Sequence, residues 1–391
     1  TALGTVYGGI NMLSWYPITP SSSVAEGIIK WLPELRTAKD GGITCAVIQA
    51  EDELAAAGMV LGAGWAGGRG MTCTSGPGIS LMSEFIGLSY FAEVPGVIWD
   101  VNRVGPSTGL PTRTQQGDLS MLYEASHGDT QHIVLIPGNV DECFEFGWKA
   151  FDYAEKYQTM IFGFTDLDLG MNDWSSKEFQ WNDLQEYDRG KVLSKEDLDE
   201  IEEFGRYLDV DGDGVPYRTY PGTHPQKGAY FTRGTSHDEY ARYTEDGVKN
   251  AEILSRLTKK FQTASSTVPA PIFNQEASTS SIGVIYFGST DCSMQEALDS
   301  LKDEKIDVDA MRIRSFPFNL EVWEFIEEHD LLFIVEQNRD GQMRTLLMAE
   351  GGIMPDKLVS ILCFDGQPIT ASFITNKINA HISGTPSLAA S

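Results

Sequence analysis

The sequence predicts an α/β protein: a parallel sheet with helices on both faces, followed by a second, smaller α/β domain. Three observations predict it. From Thr1 to about Phe164 short apolar runs alternate with helical segments, the pattern of a buried parallel sheet. The loops leaving those apolar runs are rich in Gly, Pro, Ser and Thr, and loops at the carboxyl ends of parallel strands carry the chemistry of such sheets. The strand and helix rhythm resumes after Thr263–Ser281, a Ser-, Thr-, Ala- and Pro-rich stretch that reads as a linker. The expected division is 1–180 for the first domain, 181–281 for a polar insertion with a helix and linker, and 282–391 for the second domain.

At 391 residues the chain can bury a large core. Its 56 acidic and 29 basic residues give a formal net charge of −27, which repels nucleic acid and anionic lipid. Cys45, Cys73, Cys143, Cys292 and Cys363 are scattered and odd in number, without a C-x-x-C pair. That pattern argues against a disulfide framework and against an iron-sulfur or structural zinc site of the chain's own. No window has the length of a membrane span and no signal peptide opens the chain, so a cytoplasmic protein is expected. Thr1 to Ile10 reads as the middle of a helix, an abrupt start that leads us to expect residues upstream.

In chain order, the first strands are expected at Asn11–Trp15, Ile43–Ile48, Gly70–Cys73, Val94–Val101, His132–Ile136 and Thr159–Phe164. The first strand leaves into Tyr16-Pro17-Ile18-Thr19-Pro20-Ser21-Ser22-Ser23 and a helix at Val24–Leu35. Two prolines stiffen the backbone around Thr19 and a serine caps the helix; a rigid turn and a loop presenting the Thr19 hydroxyl to a cleft are both compatible with this.

The second strand runs into Glu51, Asp52 and Glu53, then an alanine-rich helix continuing to Trp65. Acids at a helix start complement the exposed amides. Successive positions are rotated by about 100°, so the three cannot all face solvent, and Glu53 is expected on the face of Ala56 and Ala57. Burial there would raise its pKa and let it share a proton; a structural cap is the alternative. Gly62-Ala63-Gly64-Trp65-Ala66-Gly67 matches G-x-G-x-x-G but ends a helix, so it reads as a helix terminus and not as a dinucleotide site.

Thr72 to Ile79, with Ser75-Gly76-Pro77-Gly78 at its centre, is a strand leaving into a glycine-rich turn and a helix. It lacks the lysine of a phosphate-binding loop. Val94–Val101 then opens into a long loop from Asn102 to Leu119 with Arg103 at its mouth. A guanidinium there suits a carboxylate clamp and equally an internal ion pair.

Residues 165 to about 245 turn polar, aromatic and acidic, with Lys195 to Glu203 a solvated helix face. Asp209-Val210-Asp211-Gly212-Asp213 imitates half of a calcium loop, but the twelfth position is Tyr220, which cannot supply the closing carboxylate. A turn is expected, with Asp209, Asp211 and Asp213 left as a weak cation-binding alternative. Asp246–Gln262 has helical spacing. The second domain is expected to hold strands Ile282–Gly288, Val308–Ile313, Leu331–Glu336 and Leu358–Leu362, helices Met294–Asp303 and Asn319–His329, and a loose tail from Ile382.

Four of these stretches together, Tyr16 to Ser22, Glu53 to Gly62, Ser75 to Gly78, and Arg103 to Leu119 with its Gly105-Pro106-Ser107-Thr108-Gly109, Thr112, Gln116 and Asp118, resemble the alpha subunit of 2-oxoacid:ferredoxin oxidoreductases. The 2-oxoglutarate members look most similar, and the likeness is strongest over residues 1 to about 180. It implies a thiamine-diphosphate-binding fold with a pyrimidine-binding domain, and a transketolase C-terminal-like second domain that includes Val335-Glu336-Gln337-Asn338 and Gly341-Gln342, where Glu336 and Asn338 are expected to be structural. Gly234 to Tyr240 also resembles family sequence, with His237 read as structural.

The resemblance implies that Glu53 hydrogen-bonds the aminopyrimidine ring of the cofactor and sets its tautomer, and that Ser75, Gly76 and Pro77 lie against the cofactor. It implies that Thr19, Arg103 and Thr112 hold the substrate carboxylate. The implied reaction interconverts 2-oxoglutarate and coenzyme A with succinyl-CoA and carbon dioxide, exchanging electrons with ferredoxin, in the oxidative or the carboxylating direction. Mg2+ and the iron-sulfur cluster belong to a beta subunit, and a dimer of alpha-beta heterodimers is implied. Pyruvate or another 2-oxoacid is the alternative substrate, and a non-catalytic assembly subunit of the same fold is the alternative of another class.

Overall fold

In the computed structural model, which describes residues 1–274 and 280–384, two sheets carry the architecture. The strands of the first are β1 (Met12–Trp15), β2 (Ala46–Gln49), β3 (Gly70–Thr74), β4 (Gly96–Asn102), β5 (Ile133–Leu135) and β6 (Met160–Asp166). The second is built from β7 (Ile272–Phe273), β8 (Ile282–Phe287), β9 (Asp309–Ile313), β11 (Leu331–Glu336) and β12 (Leu358–Leu362). Between β9 and β11, β10 (Ser315–Phe316) crosses over and joins the first sheet, antiparallel to β5. The first sheet therefore reads β10-β5-β6-β4-β3-β1-β2 and the second β12-β11-β8-β9-β7.

Every residue of β3, β4 and β6 is buried, as strands covered on both faces must be. One core lies under the helices Glu53–Trp65 and Gly76–Ala92 and runs through Phe164, Phe287, Met311 and Phe316 into the second sheet. The opposite face is filled by the helices Ser22–Leu35, Val140–Tyr157 and Gly247–Ser265. Because one apolar core spans both sheets, they hold a fixed relation through which loops of one can position loops of the other.

The polar middle of the chain is fastened by buried ion pairs. Glu155 receives Arg69 at 2.7 Å, Arg189 at 2.9 Å and Arg218 at 3.2 Å. Glu93, fully buried, meets Arg256 and lies 3.4 Å from Lys260, and the two cations hold its carboxyl down at about 2 against the opposing effect of burial.

Two expectations need correction. The apolar run at Ile43–Ile48 becomes a strand only from Ala46, and β2 is an edge strand exposed along most of its length. The linker expected from Thr263 starts later, because the helix from Gly247 continues to Ser265; part of that linker, 275–279, and most of the tail, 385–391, lie outside the described residues. Cys292 is exposed, unlike the other four cysteines.

Candidate functional site

The carboxyl ends of β1 to β4 and β6 lie side by side, with Trp15 opposite Gln49, Thr74 opposite Asp100 and Asn102 opposite Asp166. The loops singled out in the sequence thus share one edge of one sheet, where α/β folds place their ligands.

After β2, Asp52 caps the helix by accepting the Ala55 N–H at 2.7 Å. That leaves Glu53 as the first helical residue, buried on the face of Ala56 and Ala57 while Glu51 is exposed. Among the described residues none hydrogen-bonds the Glu53 carboxyl. Its chain packs onto the next helix at Gly78, where a Cβ would sit 3.0 Å from Glu53 Cγ and 1.9 Å from Thr74 Oγ1. Only glycine allows that approach. Ser75 caps the helix Gly76–Ala92 in extended conformation, and its hydroxyl is buried without a partner. Gly76 and Pro77 form the first turn, so the stretch read as a tight turn is a helix N-terminus.

After β4, Arg103 is buried and donates from Nη1 to the main-chain carbonyl of Thr19 at 2.7 Å, while its Nε–H has no partner. Thr19 is exposed, and the group that meets Arg103 is its carbonyl, not its hydroxyl. Thr112 sits exposed on the turn Leu110–Arg113, held by Arg113 N–H to Leu110 O at 3.1 Å and by the bridge between Val104 and Leu110. The structure therefore joins Thr19 to Arg103 and places Ser75 to Pro77 directly after Thr74, which touches the Glu53 cradle. Among the described residues no hydrogen bond ties Thr112 to the others.

A cleft of about 470 Å³ opens beside Arg103, between Gly76 and Pro77, the long loop, and the Asn338 to Gln342 turn of the second domain. Asp118 lines it, with a carboxylate oxygen 2.7 Å from the position a Gly76 Cβ would take. Burial pushes Asp118 up to about 6 against the pull of Arg103. Asp100, inside β4, is raised further, by burial first and then by the charge of Asp118, although Asn102 donates to it at 2.6 Å. Sequence reasoning quoted Asp118 within a motif without giving it a role, and nothing in the strand pattern marks Asp100.

The acidic loop at 209–215 already has a cation. Lys191 Nζ lies 2.7 Å from Asp211, 2.8 Å from Asp213 and 3.0 Å from the Val215 carbonyl. Both oxygens of Asp209 accept main-chain amides, from Asp213 and Gly214. Lys191 thus closes the turn of Asp209, Asp211 and Asp213, and among the described residues no group of three or more His, Cys, Asp or Glu side chains is arranged to hold a metal ion. His237 is buried and stacks on Tyr207 with centroids 3.8 Å apart, a structural placement.

With this geometry in place, residues 4–255 match the model of the pyruvate flavodoxin/ferredoxin oxidoreductase thiamine-diphosphate-binding family. The chain is 36% identical over 381 residues to the alpha subunit of 2-oxoacid:ferredoxin oxidoreductase 2 of Aeropyrum pernix, covering 94% of this chain and 57% of that one. It is 31% identical over 329 residues to the KorA subunit of 2-oxoglutarate synthase from Methanocaldococcus jannaschii, covering 81% of each. A solved 2-oxoglutarate:ferredoxin oxidoreductase from Magnetococcus marinus, with 2-oxoglutarate, coenzyme A and succinyl-CoA bound, matches with a TM-score of 0.85 at 28% identity, over 97% of this chain and 64% of that one. The chain thus spans less than two thirds of the length of several relatives, 57% and 60% in two of them.

Proposed function

Because this chain belongs to the thiamine-diphosphate-binding family of pyruvate flavodoxin/ferredoxin oxidoreductases, we propose that it is the alpha-type chain of a 2-oxoacid:ferredoxin oxidoreductase. The reaction we assign interconverts 2-oxoglutarate and coenzyme A with succinyl-CoA and carbon dioxide, with ferredoxin as electron partner. One observation carries this reading: Glu53 is a buried residue whose carboxyl has no hydrogen-bond donor among the described residues and whose side chain is cradled at Gly78. Its carboxylate oxygens are free to accept a hydrogen bond from a ligand, and a protonated ring nitrogen would supply one.

Thiamine diphosphate, when bound, supplies the carbanion chemistry of 2-oxoacid cleavage. The chain's own part is to bind and orient. Glu53 holds a hydrogen-bonding carboxyl at the cofactor's pyrimidine ring, and Ser75, Gly76 and Pro77 offer it a helix N-terminus and a hydroxyl without a partner. Arg103, with its Nε–H unpartnered, takes the substrate carboxylate, and Thr19 and Thr112 flank it.

A beta subunit is part of the same reading, supplying Mg2+ and the iron-sulfur cluster and assembling with this chain as a dimer of heterodimers. The helix Glu53–Trp65 supports it: the helix is apolar nearly all round yet leaves Leu54, Met59 and Trp65 exposed, beside the exposed edge strand β2. The three-part division 1–180, 181–281 and 282–391 and a cytoplasmic location belong to the proposal too. The two sheets support the first, and five free cysteines the second.

The test is coenzyme-A-dependent reduction of ferredoxin or a viologen dye by the chain assembled with its beta partner, offered 2-oxoglutarate and pyruvate in parallel, with Glu53→Gln as control. Turnover of 2-oxoglutarate that Glu53→Gln abolishes supports the assignment. Turnover of pyruvate alone overturns the substrate, and no turnover of any 2-oxoacid with thiamine diphosphate bound returns the chain to the assembly reading.

A further inference from the structure

The long loop that carries Arg103 is held from outside its own domain. The Gln116 N–H donates to Gln337 O at 2.8 Å, and the Gln337 N–H donates back to Gln116 Oε1 at 3.1 Å. Asn338 Nδ2 donates to Gln116 O at 3.1 Å, Gln342 Nε2 donates to Gly117 O at 2.6 Å, and Gln342 Oε1 accepts the Ser120 N–H at 3.0 Å. Five hydrogen bonds therefore pass between one turn of the second domain and Gln116–Ser120, where the loop that carries Arg103 and Thr112 ends. Gln116, Gln337 and Asn338 are all buried, where each bond is stronger and its loss more costly than in water.

The turn that makes these contacts is itself held rigid. Glu336, at the end of β11, accepts Asn338 Nδ2 at 2.7 Å, the Met343 N–H at 2.8 Å and the Arg344 N–H at 3.0 Å, while Asn338 Oδ1 accepts the Gly341 N–H at 2.8 Å. Glu336 fixes the asparagine, the asparagine fixes the turn, and the turn fixes the loop. A loop rich in Gly, Pro, Ser and Thr has little of its own to define its shape, and binding groups a fraction of an ångström out of place lose much of their effect.

We infer that Asn338 and Gln342 of the second domain are positioning residues for 2-oxoacid binding, setting the place of the loop that carries Arg103 and Thr112. This rests on the reading of Arg103 as the carboxylate clamp. The second domain, expected from the sequence to be structural at Asn338, then tunes substrate affinity without touching the substrate.

The test uses the assembled holoenzyme and compares Gln342→Ala, Asn338→Asp and Arg103→Lys with the unaltered enzyme, reading KM for 2-oxoglutarate, KM for coenzyme A, kcat per bound thiamine diphosphate and the midpoint of thermal unfolding. Gln342→Ala removes two bonds from a half-buried position and is expected to raise KM for 2-oxoglutarate about tenfold, leaving kcat within twofold and KM for coenzyme A unchanged. Asn338→Asp, which cannot donate to Gln116 O, is expected to act in the same direction. If Gln342→Ala and Asn338→Asp lower only the unfolding midpoint or the active fraction while Arg103→Lys raises KM, the positioning role is overturned and the clamp survives. If Arg103→Lys also leaves KM unchanged, the clamp reading itself is overturned, and the positioning role with it.

Discussion

Arg103 Nη1 donates to the main-chain carbonyl of Thr19 at 2.7 Å, so the loops after the first and fourth strands are tied by a buried guanidinium that still has its Nε–H unpartnered. One edge of the fork is used within the protein, and the Nε–H of the other is a donor that the protein leaves unused. Lysine can reproduce the charge but not both edges. Arg103→Lys is therefore expected to raise KM for the 2-oxoacid by about 10- to 100-fold, the scale of a charge-assisted hydrogen bond. Steady-state kinetics on the assembled enzyme measures it, and an unchanged KM would remove Arg103 from the site.

The raised Asp118 carboxyl predicts a pH dependence of stability. Burial lifts its pKa from the ordinary carboxylate range to about 6, so between those values the folded chain binds more protons than the unfolded one. Stability then falls as pH rises through that window and levels off above it. Asp118→Asn removes the penalty and is expected to raise the unfolding midpoint at pH 7.5, with a difference that fades as pH falls below about 4, where Asp118 is protonated in the unfolded chain too. Melting curves across that range decide it; a constant offset at every pH would show that ionisation is not the cause.

Much of the fold was legible because buried parallel strands are continuous apolar runs: β3, β4 and β6 are found where the sequence placed them. Ile43–Ile48 misled because composition is the same whether this chain or a partner covers an edge. A two-residue strand such as Ser315–Phe316 leaves no periodicity, and its partners Leu135 and Val134 lie far back in the chain. At the site, Arg103 stood out at the mouth of a strand, whereas the bond between Gln116 and Gln337 spans 221 positions and has no local signature. Motif reasoning quoted both residues without showing that they meet.

Lys191 predicts how the acidic turn behaves. Its ammonium bridges Asp211, Asp213 and the Val215 carbonyl, so removing it leaves two carboxylates in mutual repulsion. Lys191→Ala is expected to cost about 1 kcal/mol of stability, the upper end for a partly exposed ion pair, and to speed proteolysis near 209–215. Adding millimolar calcium should leave the melting of the unaltered chain unchanged, because the lysine already neutralises the turn. A calcium-dependent rise in the unaltered chain would reinstate Asp209, Asp211 and Asp213 as a cation site.

Gly78 offers the sharpest test of how Glu53, the proposed cofactor acid, is placed. A Cβ there would lie 1.9 Å from Thr74 Oγ1 and 3.0 Å from Glu53 Cγ, so Gly78→Ala forces two neighbours apart. Overpacking of this kind costs about 1–3 kcal/mol, seen as a lower unfolding midpoint. Thr74→Ala removes the 1.9 Å contact and leaves its own Cβ at 3.0 Å, and the double variant Thr74→Ala with Gly78→Ala is expected to recover much of the stability. The contact with Glu53 persists in that double variant, and thiamine diphosphate affinity and turnover are expected to remain depressed even where the fold has recovered. Stability and cofactor binding thus separate at one position: if both return together, Glu53 tolerates displacement and the cradle matters only for packing, whereas stability without binding shows that Gly78 is required to keep the acid in place.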